Sequence, residues 1–199
     1  MKDVIKGLLS RPQISDILRK IVEANFIGEK NVIIREIDST RKKKVLDLAC
    51  GTGIMSEMFS DQEYVGCDIN QTSIAYAKRK YNKKFKVANA ASSGFKRNSF
   101  NHILVCGLFH HLSNRDSIAV LKEKKRIATR DCLIVIMEDV PTVSKFNFVG
   151  KILHKIDQGD FIRTPKDYID LFERFFDVKN DYYMRSGFCD YHVFILCNE

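Results

Sequence analysis

No run of apolar residues in this 199-residue chain approaches the ~20 needed to cross a bilayer as a helix. The opening segment, Met1 to Ser10, is too short and too interrupted by charge to be a signal peptide, so the expected location is the cytoplasm. The six cysteines, Cys50, Cys67, Cys106, Cys132, Cys189 and Cys197, contain no Cys-x-x-Cys pair. That spacing argues against a disulfide scaffold and against structural zinc. The thiols read instead as small buried hydrophobes of a reducing compartment. Internal repeats, low-complexity tracts and linkers are also missing, and the length suits one domain with its own core, residues 1–199.

The residues that are present have the balance of a soluble globular protein, 45% hydrophobic and 29% charged. The net charge of +8 raises the question of a nucleic-acid partner. Its basic clusters are Arg41 to Lys44, Lys78 to Lys80, Lys83 to Lys86 and Lys122 to Arg126. The first leads into a strand and the others fall on or after helical segments, which favours solvated outer faces.

Short apolar runs alternate with longer helical patterns, which predicts an α/β domain with a mainly parallel sheet. Ile14 to Ile27 has helix spacing, and Val32 to Ile37 reads as a second short helix. Strands are expected at Val45–Ala49, Tyr64–Cys67, Phe85–Ala88, Ile103–Cys106 and Cys132–Met137. Helices are expected after Gly53 (with Met55, Met58 and Phe59), over Asn70–Tyr81, from the N-cap Ser113 to Ile127, and from Thr164-Pro165 to Phe176. Two further strands surround Ser186-Gly187. Residues 1–40 would form an N-terminal helical cap. Residues 141–163, with Phe146, Val149, Ile152, Leu153 and Ile156 at helical spacing, are either simple packing or a substrate lid.

Ligands of open α/β sheets lie beyond the carboxyl ends of the strands. Those ends carry Asp47 to Gly53, Asp68, Asn89, Cys106-Gly107 and Glu138-Asp139. Glycine lets backbone approach a ligand closely. A helix N-terminus after the turn would favour a negative group such as a carboxylate. Asp68, 21 residues after Asp47, could accept two hydrogen bonds from a ribose diol, and Asn89 could accept one from an adenine amino group. A dinucleotide fold wants Gly-x-Gly-x-x-Gly, but Ser56 stands in the third position. Asp47, just before the turn, suits a cationic amino group better than a pyrophosphate.

The string Val45-Leu46-Asp47-Leu48-Ala49-Cys50-Gly51-Thr52-Gly53 resembles the first motif of class I S-adenosylmethionine-dependent methyltransferases. Val65 to Asn70 resembles the family's acidic second motif. Val87 to Ala90 with Asn98 to Leu104 resembles its adenine-binding segment and fourth strand. Cys106 to Leu112, containing His110-His111-Leu112, is similar to the next motif of the small-molecule, type 11 branch. The resemblance runs from about Lys43 to Asp139. It implies a Rossmann-like fold with a mainly parallel seven-stranded sheet, a C-terminal antiparallel hairpin and helices on both faces. It further implies S-adenosyl-L-methionine as cofactor and S-adenosyl-L-homocysteine as product. By position, Asp47, Ala49 and Gly51 would surround the methionine part, Asp68 would bind the ribose, and Ile69, Asn89 and Ala90 the adenine, with Cys50 and Gly53 also among the cofactor-binding residues. Cys106 and Phe109 would lie near the methionine end. Departures are Asn89 and Asn101 in place of the more usual aspartates, Ala49 for the first glycine of the turn, and Thr129-Arg130-Asp131 where Pro-Gly-Gly is usual. The last reads as a changed turn.

The sulfonium of such a cofactor is already electrophilic, so the protein mainly aligns the nucleophile and excludes water, without a metal. A hydroxyl acceptor needs a base, for which His111 and His110, and also Glu138 and Asp139, are the candidates. Their alternative is local packing and capping. Glu138, Asp139, Arg163 and Tyr191 are candidate substrate contacts, with Phe188, His192 and His154 as further ones. A small-molecule acceptor is expected, bound by a monomer or homodimer. The alternatives are an RNA or DNA methyltransferase and a non-catalytic S-adenosylmethionine-binding module. No Asn/Asp-Pro-Pro-Tyr motif of the amino-directed nucleic-acid enzymes follows the fourth strand.

Overall fold

Val45, Leu46 and Leu48 are all fully buried, because the first strand, β1 (Lys44–Leu48), is covered on both faces. That is why its sequence reads as a continuous apolar run rather than an alternating one. The structure, a computed structural model, describes residues 11–37, 44–59, 63–142, 147–150, 152 and 159–198. Parallel neighbours of β1 are β2 (Glu63–Asp68) on one side and β4 (Phe100–Cys106) on the other. Outside β2 lies β3 (Lys84–Val87), and outside β4 lies β5 (Ala128–Asp139), both parallel. The hairpin of β6 (Asp177–Ser186) and β7 (Cys189–Cys197) completes the sheet, with β7 antiparallel to β5. The strand order is β3-β2-β1-β4-β5-β7-β6. This is the Rossmann-like, seven-stranded arrangement that the sequence implies. The order reverses between β1 and β4, so a crevice opens beyond their carboxyl ends.

Helices cover both faces. The described ones are α1 (Pro12–Val22), α2 (Ile27–Glu36), α3 (Gln71–Lys80), α4 (Asn114–Ile127) and α5 (Pro165–Phe172). Alternate strand residues serve two cores. Leu46, Ile103, Val105, Ile134, Ile136 and Phe194 pack with Val120 and Leu121 of α4 and Tyr168 and Phe172 of α5. Val45, Leu104, Val135, Met137, Val193 and Ile195 pack with Val32 and Ile33 of α2 and Ile74 and Ala77 of α3. Side-chain caps start three helices: Asn70 accepts from Thr72 and Ser73, Ser113 accepts from Asp116, and Thr164 forms a capping box with Asp167.

Several expectations need correction. Ile14 to Ile27 is not one helix, because Ala24, Asn25 and Phe26 take left-handed φ angles of 47°, 60° and 59° and break it in two. After Gly53 comes a 3₁₀ turn, Ile54–Met58, rather than an α-helix. Phe59, at its C-cap, leaves helical geometry with φ −123° and ψ 60°, which ends the segment after five residues. The final helix stops at Phe172 rather than Phe176. Thr129-Arg130-Asp131 is not a turn. It lies inside β5, which leaves α4 directly at Ala128 and absorbs the change through a register shift against Phe100 and His102. Of the expected 141–163 lid, only 141–142, 147–150, 152 and 159–163 are described. His154, Phe146, Leu153 and Ile156 lie outside the described residues, as do 1–10 and Arg41 to Lys43.

Two glycines admit the ring of Phe85. A Cβ on Gly66 would approach it to 2.7 Å, and one on Gly53, which has φ +76°, to 2.6 Å. Gly53→Ala should therefore combine left-handed strain with overpacking, at a cost of about 2–5 kcal/mol. Thermal denaturation should show a Tm lower by 5 °C or more. An unchanged Tm would mean that the Phe85 ring is not wedged there.

Candidate active site

The turn after β1 is built from three left-handed residues, Ala49, Gly51 and Gly53, with φ of 63°, 52° and 76°. It is pinned to the next strand twice. Cys50 N donates to the Cys67 carbonyl at 3.0 Å, and Gly51 N donates to Asp68 Oδ2 at 2.8 Å. The other oxygen of Asp68 accepts from Asn70 N at 2.7 Å, which fixes the carboxylate against the start of α3. A Cβ on Gly51 would meet nothing within 4 Å, so this glycine borders open space.

That space is a cleft of about 530 Å³. Its wall includes Asp47, Ala49, Cys50, Gly51, Asp68, Ile69, Asn89, Ala90 and Cys106. Nine of the eleven sequence-predicted cofactor residues are thereby brought together. Ile69 is 70% exposed and offers an unpartnered apolar side chain. The Oδ1 of Asn89 already accepts from Ala91 N at 2.8 Å, which turns the chain after β3. Asp47 is buried, and Tyr64 donates its hydroxyl to Asp47 Oδ2 at 2.7 Å. Burial pushes the Asp47 carboxyl up to about 7, and the Tyr64 hydrogen bond only partly offsets this.

Two predicted cofactor residues are placed elsewhere. Gly53 faces Phe85. Phe109 is fully buried in the core, edge-on to Phe172 at 5.1 Å between ring centres.

The predicted acid–base and substrate residues form a braced network beside the cleft. Glu138, fully buried at the end of β5, accepts from Leu108 N and Phe109 N at 2.8 Å each and from His110 N at 3.2 Å. Its Oε2 also lies 2.9 Å from His110 Nδ1. One carboxylate thus organises the whole bend after β4. Asp139 Oδ2 lies 3.5 Å from His110 Nε2, so both ring nitrogens of this buried histidine face carboxylates. Beneath them, Lys124 Nζ is buried over the Phe109 ring at 4.5 Å with no hydrogen-bond partner, and burial lowers its pKa to about 7. Arg163 donates to the carbonyls of Phe109, Phe161 and Leu112 and to Asn114 Oδ1, which makes it a clamp on the same bend rather than a free cation. Tyr191 is buried beside Asp139 across the β5–β7 ladder. His192 faces Asp181, Nε2 to Oδ2 2.6 Å, and Phe188 is exposed in the hairpin turn. Of the predicted acid–base and substrate residues only His111 lines the cleft, its ring tilted against that of His110 at 3.9 Å between centres.

Sequence reasoning missed the contribution of α1. Asp16 is buried and accepts from Thr52 Oγ1 in the glycine turn, from Tyr76 and from Lys80. Arg19 lines the cleft and pairs with Glu23 at 2.7 Å. Charges spaced three to four residues apart, Asp16, Arg19 and Glu23, were the available signal.

The profile of the methyltransferase-domain family matches residues 45–131. That stretch, 87 of the 199 residues, is similar to a methyltransferase domain. An uncharacterized protein of Methanocaldococcus jannaschii is 30% identical over 135 residues, 68% of this chain and 49% of that protein. The chain thus spans about half the length of the curated relative it matches. Among solved structures, a chain from the complex of the Trm112 methyltransferase activator of Haloferax volcanii superposes with a TM-score of 0.74 at 12% identity, covering 99% of this chain and 96% of that one. A TehB-like S-adenosylmethionine-dependent methyltransferase from Corynebacterium glutamicum superposes at 0.69 with 18% identity, covering 94% and 97%. At these identities the two structures speak for the fold. Among the described residues, no group of histidine, cysteine, aspartate and glutamate is arranged to hold a metal, and no helix is long and apolar enough to cross a membrane.

Glu138→Gln keeps the shape of the side chain but turns an amide NH₂ or a neutral oxygen toward three backbone donors. It should destabilise the fold by about 2–4 kcal/mol, measured by urea denaturation. A loss under 0.5 kcal/mol would contradict the anchoring role.

Proposed function

We propose that the chain is a methyltransferase that uses S-adenosylmethionine to methylate a small molecule in this cleft. One observation carries the reading. Asp47, Asp68 and Asn89, each at or near the end of a different strand, share one cleft wall around a turn whose central glycine faces open space.

The residues fit the cofactor by their own chemistry. A Cβ at position 51 would fill the cradle against which the cofactor rests. Asp47, buried and carrying a raised pKa, gains most from an adjacent cation such as the amino group of the methionine part. Asp68 has acceptor capacity left for ribose hydroxyls. Ile69 can pack on adenine, with Asn89 and Ala90 at its edge. When bound, S-adenosylmethionine supplies an electrophilic methyl group on its sulfonium.

The rest falls to the chain's own residues. Glu138 and Arg163 hold the bend from Leu108 to Leu112 in one conformation, so the cleft wall at that end is preorganised. His111 is the proposed base for a hydroxyl acceptor, and His110, fixed by Glu138 and Asp139, positions its ring. Asp47, Asp68 and Asp116 on the wall outnumber Arg19, an arrangement that repels a phosphate backbone. This favours a small acceptor over RNA or DNA.

Isothermal titration should show S-adenosylmethionine and S-adenosylhomocysteine binding to the wild type, with at least a tenfold loss in Asp68→Ala, about 1.4 kcal/mol. Absence of binding by the wild type would overturn the proposal. The affinity should also depend on pH. The bound ammonium favours the ionised form of Asp47, which is mostly protonated below pH 7 in the free protein. Affinity should therefore rise about tenfold between pH 6 and pH 8. Asp47→Asn should flatten that profile, and an equally steep profile in the variant would assign the titration elsewhere.

A further inference from the structure

Helix α1 is mounted inside out. Its polar edge, Asp16, Arg19 and Glu23, faces the protein: Asp16 and Glu23 are buried, and Arg19 borders the cleft. Its apolar residues face outward, with Ile17 61%, Leu18 41% and Ile21 68% exposed. A surface helix of a globular protein ordinarily does the reverse. The inversion is fixed by the site, since Asp16 holds Thr52 of the glycine turn and the Lys80 ammonium at 3.0 Å.

The apolar surface does not end with the helix. Phe188 N donates to the Val22 carbonyl at 2.9 Å, which brings the exposed Phe188 ring to the end of α1. Asn147 Nδ2 donates to the Phe188 carbonyl at 2.8 Å and so carries the surface on to the exposed Phe148, Val149 and Ile152. The exposed apolar side chains of α1 and of the Phe188 turn are thus brought next to one another by this backbone contact.

The charges around it have one sign. Within residues 11–37 the exposed charged side chains are Arg11, Arg19, Lys20 and Arg35. Every carboxylate there is withdrawn: Asp16 is tied to Thr52 and Lys80, Glu23 to Arg19, Glu29 is buried against Ser186, and Glu36 is half-buried against Arg35 and Tyr182. Arg19 and Arg35 pair with Glu23 and Glu36, which leaves Arg11 and Lys20 as the exposed charges outside those pairs along this stretch. An exposed aliphatic helix face flanked by such cations is the pattern of an element that lies in the surface of a bilayer containing anionic lipids. Nucleic acid would leave the isoleucines without a partner.

We propose that α1 and the Phe188 turn seat the protein on an anionic lipid surface. The attachment is peripheral and reversible, because a single short helix buries only a few side chains. It holds whatever acceptor the cleft takes.

Co-sedimentation with vesicles tests it. The full chain should bind vesicles of phosphatidylcholine with 30% phosphatidylglycerol at least tenfold more tightly than pure phosphatidylcholine vesicles, and 0.5 M salt should weaken that binding. Ile17→Gln with Ile21→Gln, both exposed, should lose at least tenfold in vesicle affinity while keeping the wild-type Tm and S-adenosylmethionine titration. Lys20→Glu should lose binding to the anionic vesicles in the same way. Equal binding to both vesicle types, no binding to either, or binding unaffected by the double substitution would overturn the proposal. So would a dimer in analytical ultracentrifugation that the double substitution dissolves, which would assign the face to a second copy of this chain.

Discussion

The site depends on one carboxylate between two strands. Asp68 accepts from Gly51 N and from Asn70 N, and so joins the turn after β1 to the start of α3. Three left-handed residues in a row of five are costly in an unsupported loop. The backbone bond from Cys50 to Cys67 and the Phe85 ring against Gly53 and Gly66 supply the rest of the support. What this arrangement leaves is a glycine facing open space between two buried or half-buried acids, which is a rigid place for a cationic, hydroxyl-rich ligand.

A second carboxylate does the corresponding work on the other side of the cleft. Glu138 at the end of β5 gathers the amides of Leu108, Phe109 and His110 as Asp68 gathers those of Gly51 and Asn70. Both acids sit at carboxyl ends of parallel strands, where loops begin and backbone donors are unpaired. The two differ in what they have left. Asp68 still borders the cleft, whereas Glu138 is fully enclosed and its capacity is spent. Candidate chemistry therefore narrows to His111, which the enclosed network orients from behind.

The strand-end residues were legible in the sequence because strand runs and turn glycines have short-range signatures. Asp47, Asp68 and Asn89 fall where a parallel sheet delivers them, and the N-caps at Ser113 and Thr164 stand as read. What escaped depends on tertiary partners. Phe109 goes to the core because Phe172, 63 positions away, offers an edge-to-face contact. Arg163 becomes a clamp because four acceptors of the 109–114 bend and its own loop converge on it. The break at Ala24 to Phe26 carries no proline or glycine to announce it. The orientation of α1 was hidden for a different reason: an apolar stripe tells that a helix has two faces but not which of them turns inward.

The most direct measurement is a crystal structure of the chain with S-adenosylhomocysteine. The ribose should lie within hydrogen-bond distance of Asp68, the amino group beside Asp47, and the adenine against Ile69 and Asn89. A nucleoside seated anywhere else, or crystals soaked at saturating ligand with this cleft empty, would contradict this placement.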